Sequence, residues 1–175
     1  MTGISLEDAS KEYNGQKQSL ELTFAPGATL PEGVRVEISE SIVATVGEYT
    51  ITATFTGDTT NYNEIPQMVA TLTIEKATYD MSGVTFNGDT ITYDGNAHNL
   101  AISGTLPEGV IVSYLNNEKV NVGTYTVTAT FAGDAINYNP IETKTATLTI
   151  TKATYDMSGI TFNDDTVAYD GNAHR

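Results

Sequence analysis

With 175 residues the chain has room for one ordinary domain or two small ones, and no apolar run approaches the length of a membrane helix, so membrane insertion is not expected. Its formal charge of −14, with only eight scattered lysines and arginines, argues against a surface that binds nucleic-acid phosphates or an anionic membrane. The absence of cysteine excludes disulfides and thiolate metal sites. No export signal follows Met1, and we expect any such signal to lie outside this stretch of chain.

The sequence repeats itself. The stretch "GEYTITATF" at 47–55 returns as "GTYTVTATF" at 123–131, and "ATLTI" at 70–74 returns at 146–150, both 76 residues later. Near the N-terminus the offset is 80, so the first repeat carries four extra residues, which we place within "ELTFAPGA" at 21–28. A loop accepts such an insertion at little cost.

Three segments follow from this periodicity. We predict that residues 1–75 form a first repeat lacking its opening strand, that residues 76–150 form a complete second repeat, and that residues 151–175 begin a truncated third. At about 75 residues, each full repeat can bury a small core of its own. The tail at 151–175 lacks the strands that would cover its apolar side chains. We expect it to be disordered or to pair with another edge, including that of the first repeat, within the chain or between chains.

In chain order, the two full repeats share three predicted strands. The first is "GVRVEI" at 33–38 and "GVIVSY" at 109–114, the second is the threonine-rich stretch at 47–55 and 123–131, and the third is "ATLTI". In the second stretch Tyr, Ile or Val, Ala and Phe alternate with Thr or Glu, which predicts a strand with one face on a core. Turn signals separate the strands, and no stretch has a helical pattern. The pattern predicts an all-β chain of tandem small sandwich modules.

In the connection between the repeats, "TLTIEKATYDM" at 71–81, the alternation of inward-facing residues shifts by one position between Ile74 and Ala77. One uninterrupted strand with one buried face cannot do this. We interpret the stretch as the last strand of one module followed almost at once by the opening strand of the next. Because no Gly, Ser or Pro linker intervenes, adjacent modules should be held stiffly.

Catalytic, cofactor and metal sites are not predicted. The two histidines, His98 and His174, occupy one repeat position, and the first repeat has Gln18 there, which argues against a shared base or metal ligand. The acidic residues stand in turn-like sequence, as is usual in β proteins. A calcium ion at a junction and an isopeptide bond from Lys76 or Lys152 remain open as alternatives.

Ligand binding is harder to exclude. Tyrosines in polar, Asn- and Gly-rich turns are a common platform for sugars and partner proteins. The candidate binding loops are those of Tyr62, Asn63, Tyr93, Tyr138 and Asn139. The alternative is that these residues build turns, with the tyrosine plugging a corner.

The combination of "KATYDMSG", "TYDGNAH", "GTYTVTATF" and the closing "ATLTI" resembles the bacterial Ig-like repeats called MBG ("mostly bacterial Ig") and YDG-type domains. The resemblance covers essentially the whole chain. It implies an Ig-like β-sandwich, repeated in tandem in large secreted or cell-surface bacterial proteins, with no established catalytic residues. The first repeat departs from the pattern, with Tyr-Asn-Gly at 13–15 and no Lys-Ala-Thr-Tyr opening.

The leading hypothesis is a non-enzymatic stalk at the cell surface or outside the cell, in which neighbouring repeats contact one another and present another domain. One alternative is an adhesin whose modules bind a host glycan or surface protein. Another is an accessory spacer of a multidomain polysaccharide-active enzyme.

Overall fold

The computed structural model describes residues 2–39 and 45–174, and this part of the chain contains ten strands and no helix. The strands are β1 (Ile4–Ser5), β2 (Ala9–Glu12), β3 (Thr23–Phe24), β4 (Arg35–Ile38), β5 (Gly47–Thr56), β6 (Met68–Glu75), β7 (Asp89–Thr92), β8 (Ile111–Leu115), β9 (Gly123–Ala132) and β10 (Lys144–Thr151).

The two repeats fold alike. Each builds a four-stranded sheet, in the order β2-β6-β5-β4 for the first repeat and β7-β10-β9-β8 for the second. In each sheet the edge strand β2 or β7 runs parallel to the last strand of its repeat, and the other pairs are antiparallel. A second, smaller layer is the β1–β3 pair in the first repeat and a single bridge between Thr85 and Ser103 in the second. The prediction of tandem all-β sandwiches is confirmed.

The predicted alternation sets the core. In β9, Val127, Ala129 and Phe131 are buried while the threonines between them face outward, and in β10 Leu148 and Ile150 are buried. Side chains from the opposite layer cover these strands, among them Val84, Leu100 and Val110. Burying a large aliphatic side chain is worth about 1.5–3 kcal/mol, so these two strands carry much of the stability of the repeat.

A glycine opens each central strand for a steric reason. The Tyr125 ring folds back over Gly123, and its hydroxyl donates a hydrogen bond to the carbonyl oxygen of Asn121 at 2.8 Å. A Cβ on Gly123 would lie 2.9 Å from that hydroxyl, which is closer than real Cβ contacts. Glycine therefore lets the tyrosine close the end of the sandwich.

The four extra residues of the first repeat form one turn. The β1–β3 register pairs Ser5 with Thr23, and the equivalent bridge in the second repeat keeps the offset of 80 to that point. Residues 25–28 then turn back, with the Ala28 amide donating to the Ala25 carbonyl at 2.8 Å. Gly27 has a φ of 81°, as the third position of such a turn requires. The insertion lies inside the predicted stretch 21–28.

Thr151 is the last residue of β10, and beyond it the tail forms no strand in the part of the chain that the structure describes. Residues 152–174 are all exposed, and their local order consists of short turns, such as the hydrogen bond from the Ile160 amide to the Met157 carbonyl at 3.0 Å. Residues 152–174 pair with no described sheet edge, so pairing with the first repeat within the chain, one of the alternatives for the tail, is not formed. Its apolar side chains, including Tyr155 and Phe162, face solvent.

Candidate functional site: a tyrosine junction between the repeats

The chain enters the second repeat through a single bridge. After β6 ends at Glu75, the Ala77 amide donates to the Asn137 carbonyl at 3.0 Å, and the Ala77 carbonyl accepts from the Asn139 amide at 2.8 Å. Ala77, Tyr79 and Met81 point inward as predicted, with Ala77 buried. The predicted opening strand is wrong, however, because only Ala77 is paired and the rest of 76–82 has no strand partner. A curved loop, unlike a strand, offers backbone partners at one position only.

That loop, residues 133–139, is shaped by an aspartate. The Asp134 carboxylate accepts hydrogen bonds from the Ile136 amide at 2.9 Å, the Asn137 amide at 3.2 Å and the Asn137 side-chain amide at 2.7 Å. The Asn137 side chain and these backbone amides hold the pKa of Asp134 below its ordinary value. An aspartate that bonds the backbone two residues onward fixes a turn, and here it sets the position of the following tyrosine.

Two tyrosines stack where the loop meets the connecting segment. The Tyr79 and Tyr138 rings lie 3.9 Å apart between centroids, with 12° between their planes. The Tyr79 hydroxyl accepts a hydrogen bond from the Asp134 amide at 2.9 Å. The Tyr79 ring also covers Gly133, where a Cβ would lie 2.8 Å from the ring. Glycine at position 133 therefore leaves the space that the Tyr79 ring occupies.

The same loop contacts the first repeat. Tyr13, just after β2, meets Tyr138 edge-on at 5.5 Å and 79°. The Asn137 side-chain oxygen accepts a hydrogen bond from the Val46 amide at 3.0 Å, and Asn137 is only 8% exposed. Partial burial, with Tyr13 and Tyr79 adding to it, raises the pKa of the Tyr138 hydroxyl. We call Tyr13, Tyr79, Tyr138 and Asn137 the tyrosine junction.

The predicted binding residues divide into two groups. Tyr138 and Asn139 lie together at the junction, where Tyr138 is partly covered by two other rings. Tyr62 and Asn63, their equivalents in the first repeat, are exposed, and so is Tyr93, the equivalent of Tyr13. The structure therefore does not bring the five residues into one site.

Sequence reasoning did not single out Tyr13, Tyr79, Gly133 or Asn137 as junction residues. Tyr79 and Gly133 stand in stretches that recur in the repeat, which was the available signal. Their meeting could not be foreseen, because it joins positions 50 or more residues apart.

The histidine position makes a local contact, whereas Lys76 reaches the loop 133–139. His98 Nε2 lies 2.8 Å from Asp94 Oδ1, and Gln18 at the equivalent position donates to the Glu12 carbonyl at 2.9 Å. Hydrogen bonds from the Asn96 backbone and side chain, and then from His98, lower the pKa of Asp94 to about 2. Lys76 Nζ donates to the Ala135 carbonyl at 2.6 Å.

Within residues 2–39 and 45–174, no three His, Asp or Glu side chains are grouped so that they could hold a metal ion. The same residues contain no helix long and apolar enough to cross a membrane.

The repeats match a known family over most of their length. The model of the MBG domain matches residues 2–78 and again residues 82–154. The chain belongs to the MBG domain family. This confirms the resemblance seen in the sequence, and the tandem sandwiches are of the Ig-like type. No curated protein matches the chain.

Several solved structures are similar to this MBG chain at low identity. Titin domains Z1Z2, solved in complex with telethonin, align at 16% identity over 87% of this chain and 98% of theirs, with a TM-score of 0.41. Fibronectin(III)-like modules of CbhA from Clostridium thermocellum align at 12% identity over 93% of this chain and 100% of theirs, with a TM-score of 0.28. A SusE-like, surface-located polysaccharide-binding protein from the Bacteroides thetaiotaomicron heparin utilisation locus aligns at 11% identity over 69% of this chain and 36% of its own, with a TM-score of 0.29.

Proposed function

We propose that this MBG pair is a non-enzymatic structural segment of a bacterial cell-surface or secreted protein, in which the repeats space or present another domain. The observation that carries the proposal is the directness of the connection. β6 ends at Glu75, and Ala77 already makes two backbone hydrogen bonds to the second repeat, so Lys76 alone lies between them. A connection of one residue allows little relative rotation, unlike a flexible linker.

The tyrosine junction adds a restraint away from the connection itself. Tyr13 and Val46 belong to the first repeat, and both contact the loop that also holds Ala77. Three separate points of contact oppose bending in more than one direction. The first repeat also carries eleven acids and three bases, and such an excess of like charge disfavours collapse of one module onto another.

The test is a distance measurement between the repeats. Glu37 and Ser113 occupy equivalent exposed positions on β4 and β8, and the chain has no cysteine, so Glu37→Cys with Ser113→Cys gives one labelled pair. Pulsed electron paramagnetic resonance should give one narrow distance distribution. A reference pair within the second repeat, Asn121→Cys with Thr143→Cys, lies roughly 30 Å apart along β9 and gives the width expected of a rigid body.

Removing the Tyr138 ring distinguishes a junction that its aromatic contacts make stiff from one that is stiff only because the connection is short. Tyr138→Ala should broaden the distribution between Glu37→Cys and Ser113→Cys, because it removes both aromatic contacts of the loop. The equivalent change in the first repeat, Tyr62→Ala, should leave the width unchanged. A wild-type distribution much broader than the reference pair would contradict the spacer proposal.

The adhesin alternative rests on a different observation. Tyr62 is 75% exposed beside Asn63, so this loop presents an aromatic face to solvent. Binding of a glycan or matrix protein that is lost in Tyr62→Ala would favour adhesion over spacing. The third alternative, an accessory spacer of a polysaccharide-active enzyme, is distinguished by the complete gene, which would then encode a catalytic domain. Extracellular or surface localisation belongs to all three, and its support is the family.

A further inference from the structure

The loop of the first repeat has the shape of the loop that receives Ala77 and Tyr79. Residues 57–63 share Gly, Asp and Asn-Tyr-Asn with residues 133–139. The Asp58 carboxylate accepts from the Thr60 amide at 2.9 Å, the Asn61 amide at 3.3 Å and the Asn61 side-chain amide at 2.6 Å, as Asp134 does in its own loop. The receiving conformation is therefore formed without a partner.

The groups that bind the connecting segment in the second repeat are exposed in the first. Asn61 and Tyr62 are exposed, whereas their equivalents Asn137 and Tyr138 are covered. Among the described residues, the Asn61 carbonyl and the Asn63 amide make no hydrogen bond. A Cβ on Gly57 would meet nothing closer than a methyl group of Val34 at 3.5 Å, so no ring rests on this glycine.

The other end of the chain presents the matching parts. Residues 152–157 repeat Lys76–Met81 letter for letter and are fully in solvent, with Tyr155 91% exposed. Tyr93 donates its amide to the Thr151 carbonyl at 2.9 Å, as Tyr13 does to Glu75, and it is 41% exposed. Val122, the equivalent of Val46, is 43% exposed.

We propose that loop 57–63 is a receiving site for a Lys-Ala-Thr-Tyr-Asp-Met segment, which residues 152–157 of a second copy of this 175-residue chain supply head to tail, so that the tyrosine junction is rebuilt between molecules. Ala153 would bridge to the Asn61 carbonyl and the Asn63 amide, and Tyr155 would stack on Tyr62 over Gly57. Tyr93 and Val122 of the donating copy take the places of Tyr13 and Val46. Because the two surfaces differ, each molecule of the 175-residue chain can donate and receive, and in a solution of this chain association continues into open chains.

This assignment goes beyond the spacer function and does not depend on it. Its occupant is identified by the structure itself, since the same six residues already bind an equivalent loop at 76–81. The donated segment is only six residues long, so we expect a small contact and an association that is weak and fast. Sedimentation velocity over roughly 0.01–2 mM, where interfaces of this size associate, should show a weight-average mass that rises past that of a dimer.

Two variants block opposite ends. Gly57→Ala prevents receipt, because the equivalent Cβ at Gly133 would collide with the docked Tyr79 ring, while the loop itself has room for the methyl group. Tyr155→Ala weakens donation by removing the stacking ring. Each variant alone should stay monomeric over the range where the wild type associates. Tyr169→Ala, which removes an equally exposed tail tyrosine outside residues 152–157, should associate like the wild type.

Mixing the two variants gives the decisive result. Gly57→Ala can still donate its tail and Tyr155→Ala can still receive one, so an equimolar mixture should form dimers and nothing larger. A wild type that stays monomeric throughout would overturn the proposal, including the case in which the tail folds back onto its own first repeat. Association that survives both variants, or a mixture that stays monomeric while the wild type associates, would equally overturn it.

Discussion

Gly133→Ala tests whether the packing of the Tyr79 ring on Gly133 stabilises the second repeat. The added Cβ would lie 2.8 Å from both the Cε2 atom and the hydroxyl of Tyr79, and 2.9 Å from its Cζ. Contacts this short are not tolerated, so either the ring or the loop must move. Moving the ring breaks its stacking on Tyr138 and the hydrogen bond that its hydroxyl accepts from the Asp134 amide.

The expected cost follows from the two interactions lost. A stacked aromatic pair contributes about 0.5–1.5 kcal/mol beyond its burial, and a hydrogen bond about 1 kcal/mol. We expect the connecting segment 76–82 to lose about 1.5–2.5 kcal/mol of local stability. That corresponds to roughly ten- to sixtyfold faster hydrogen exchange at the Ala77 amide, because each 1.4 kcal/mol is a factor of ten.

Gly57→Ala is the matched control, since it makes the same chemical change at the equivalent position without a ring above it. Its Cβ meets Val34 at an ordinary contact distance, and φ at Gly57 lies outside the left-handed region. We expect it to be neutral, or to stabilise by up to about 1 kcal/mol through the unfolded state. The assay is hydrogen exchange followed by mass spectrometry in dilute solution. Equal effects of the two substitutions, or unchanged exchange at Ala77 in Gly133→Ala, would refute the reasoning.

Three further predictions concern the second repeat. Leu148→Ala should lower the free energy of unfolding, measured in urea, by about 2–5 kcal/mol, because Leu148 is buried. Thr147→Ala, at the exposed neighbouring position, should change it by less than about 0.5 kcal/mol. Similar effects of the two substitutions would contradict the assignment of buried and exposed faces in β10. Gly104→Ala should destabilise the Thr85–Ser103 bridge, since φ is 100° and a Cβ would collide with a backbone carbonyl; unchanged hydrogen exchange there would contradict this. The folded pKa of Asp94 is depressed from 3.8 to about 2, so its stabilisation is complete above pH 3.8 and is lost as pH falls through about 2. The midpoint temperature of thermal unfolding, followed by circular dichroism, should therefore fall as the pH is lowered over that interval, and it should fall less steeply in Asp94→Asn. An equally steep fall in the variant would contradict the role given to Asp94.

Strands with a local signature were predictable from the sequence. The alternation in β5 and β9 gave both the strands and their buried faces, because a period of two is fixed by the backbone alone. The predicted strands at 33–38 and 109–114 begin two residues late in the structure. Gly33 and Gly109 have φ of 79° and 74°, so the chain is still turning there. The parallel edge strands β2 and β7 were missed, since they are short, mostly exposed and without an apolar pattern.

The junction was predictable only in part. The residues on either side of the phase change pack into different clusters, Ile74 in the core of the first repeat and Tyr79 and Met81 against the core of the second. The role of Tyr138 was not settled by its surroundings in the sequence, where a turn plug and a binding platform look alike. Its contact with Tyr13 depends on how one repeat is set against the next, and no local pattern encodes that arrangement.

The repeated segment shows how far tertiary contacts decide local structure here. Residues 76–81 and 152–157 are identical, and Thr and Tyr favour strands in both. At 76–81 the loop 133–139 supplies two backbone partners and a ring, and the alternate side chains turn inward. At 152–157 no described loop lies alongside, and the same six residues are exposed to solvent. Propensity therefore does not hold this segment in place. The loop does, which is why the free loop at 57–63 and the free segment at 152–157 are the two surfaces on which association between molecules would depend.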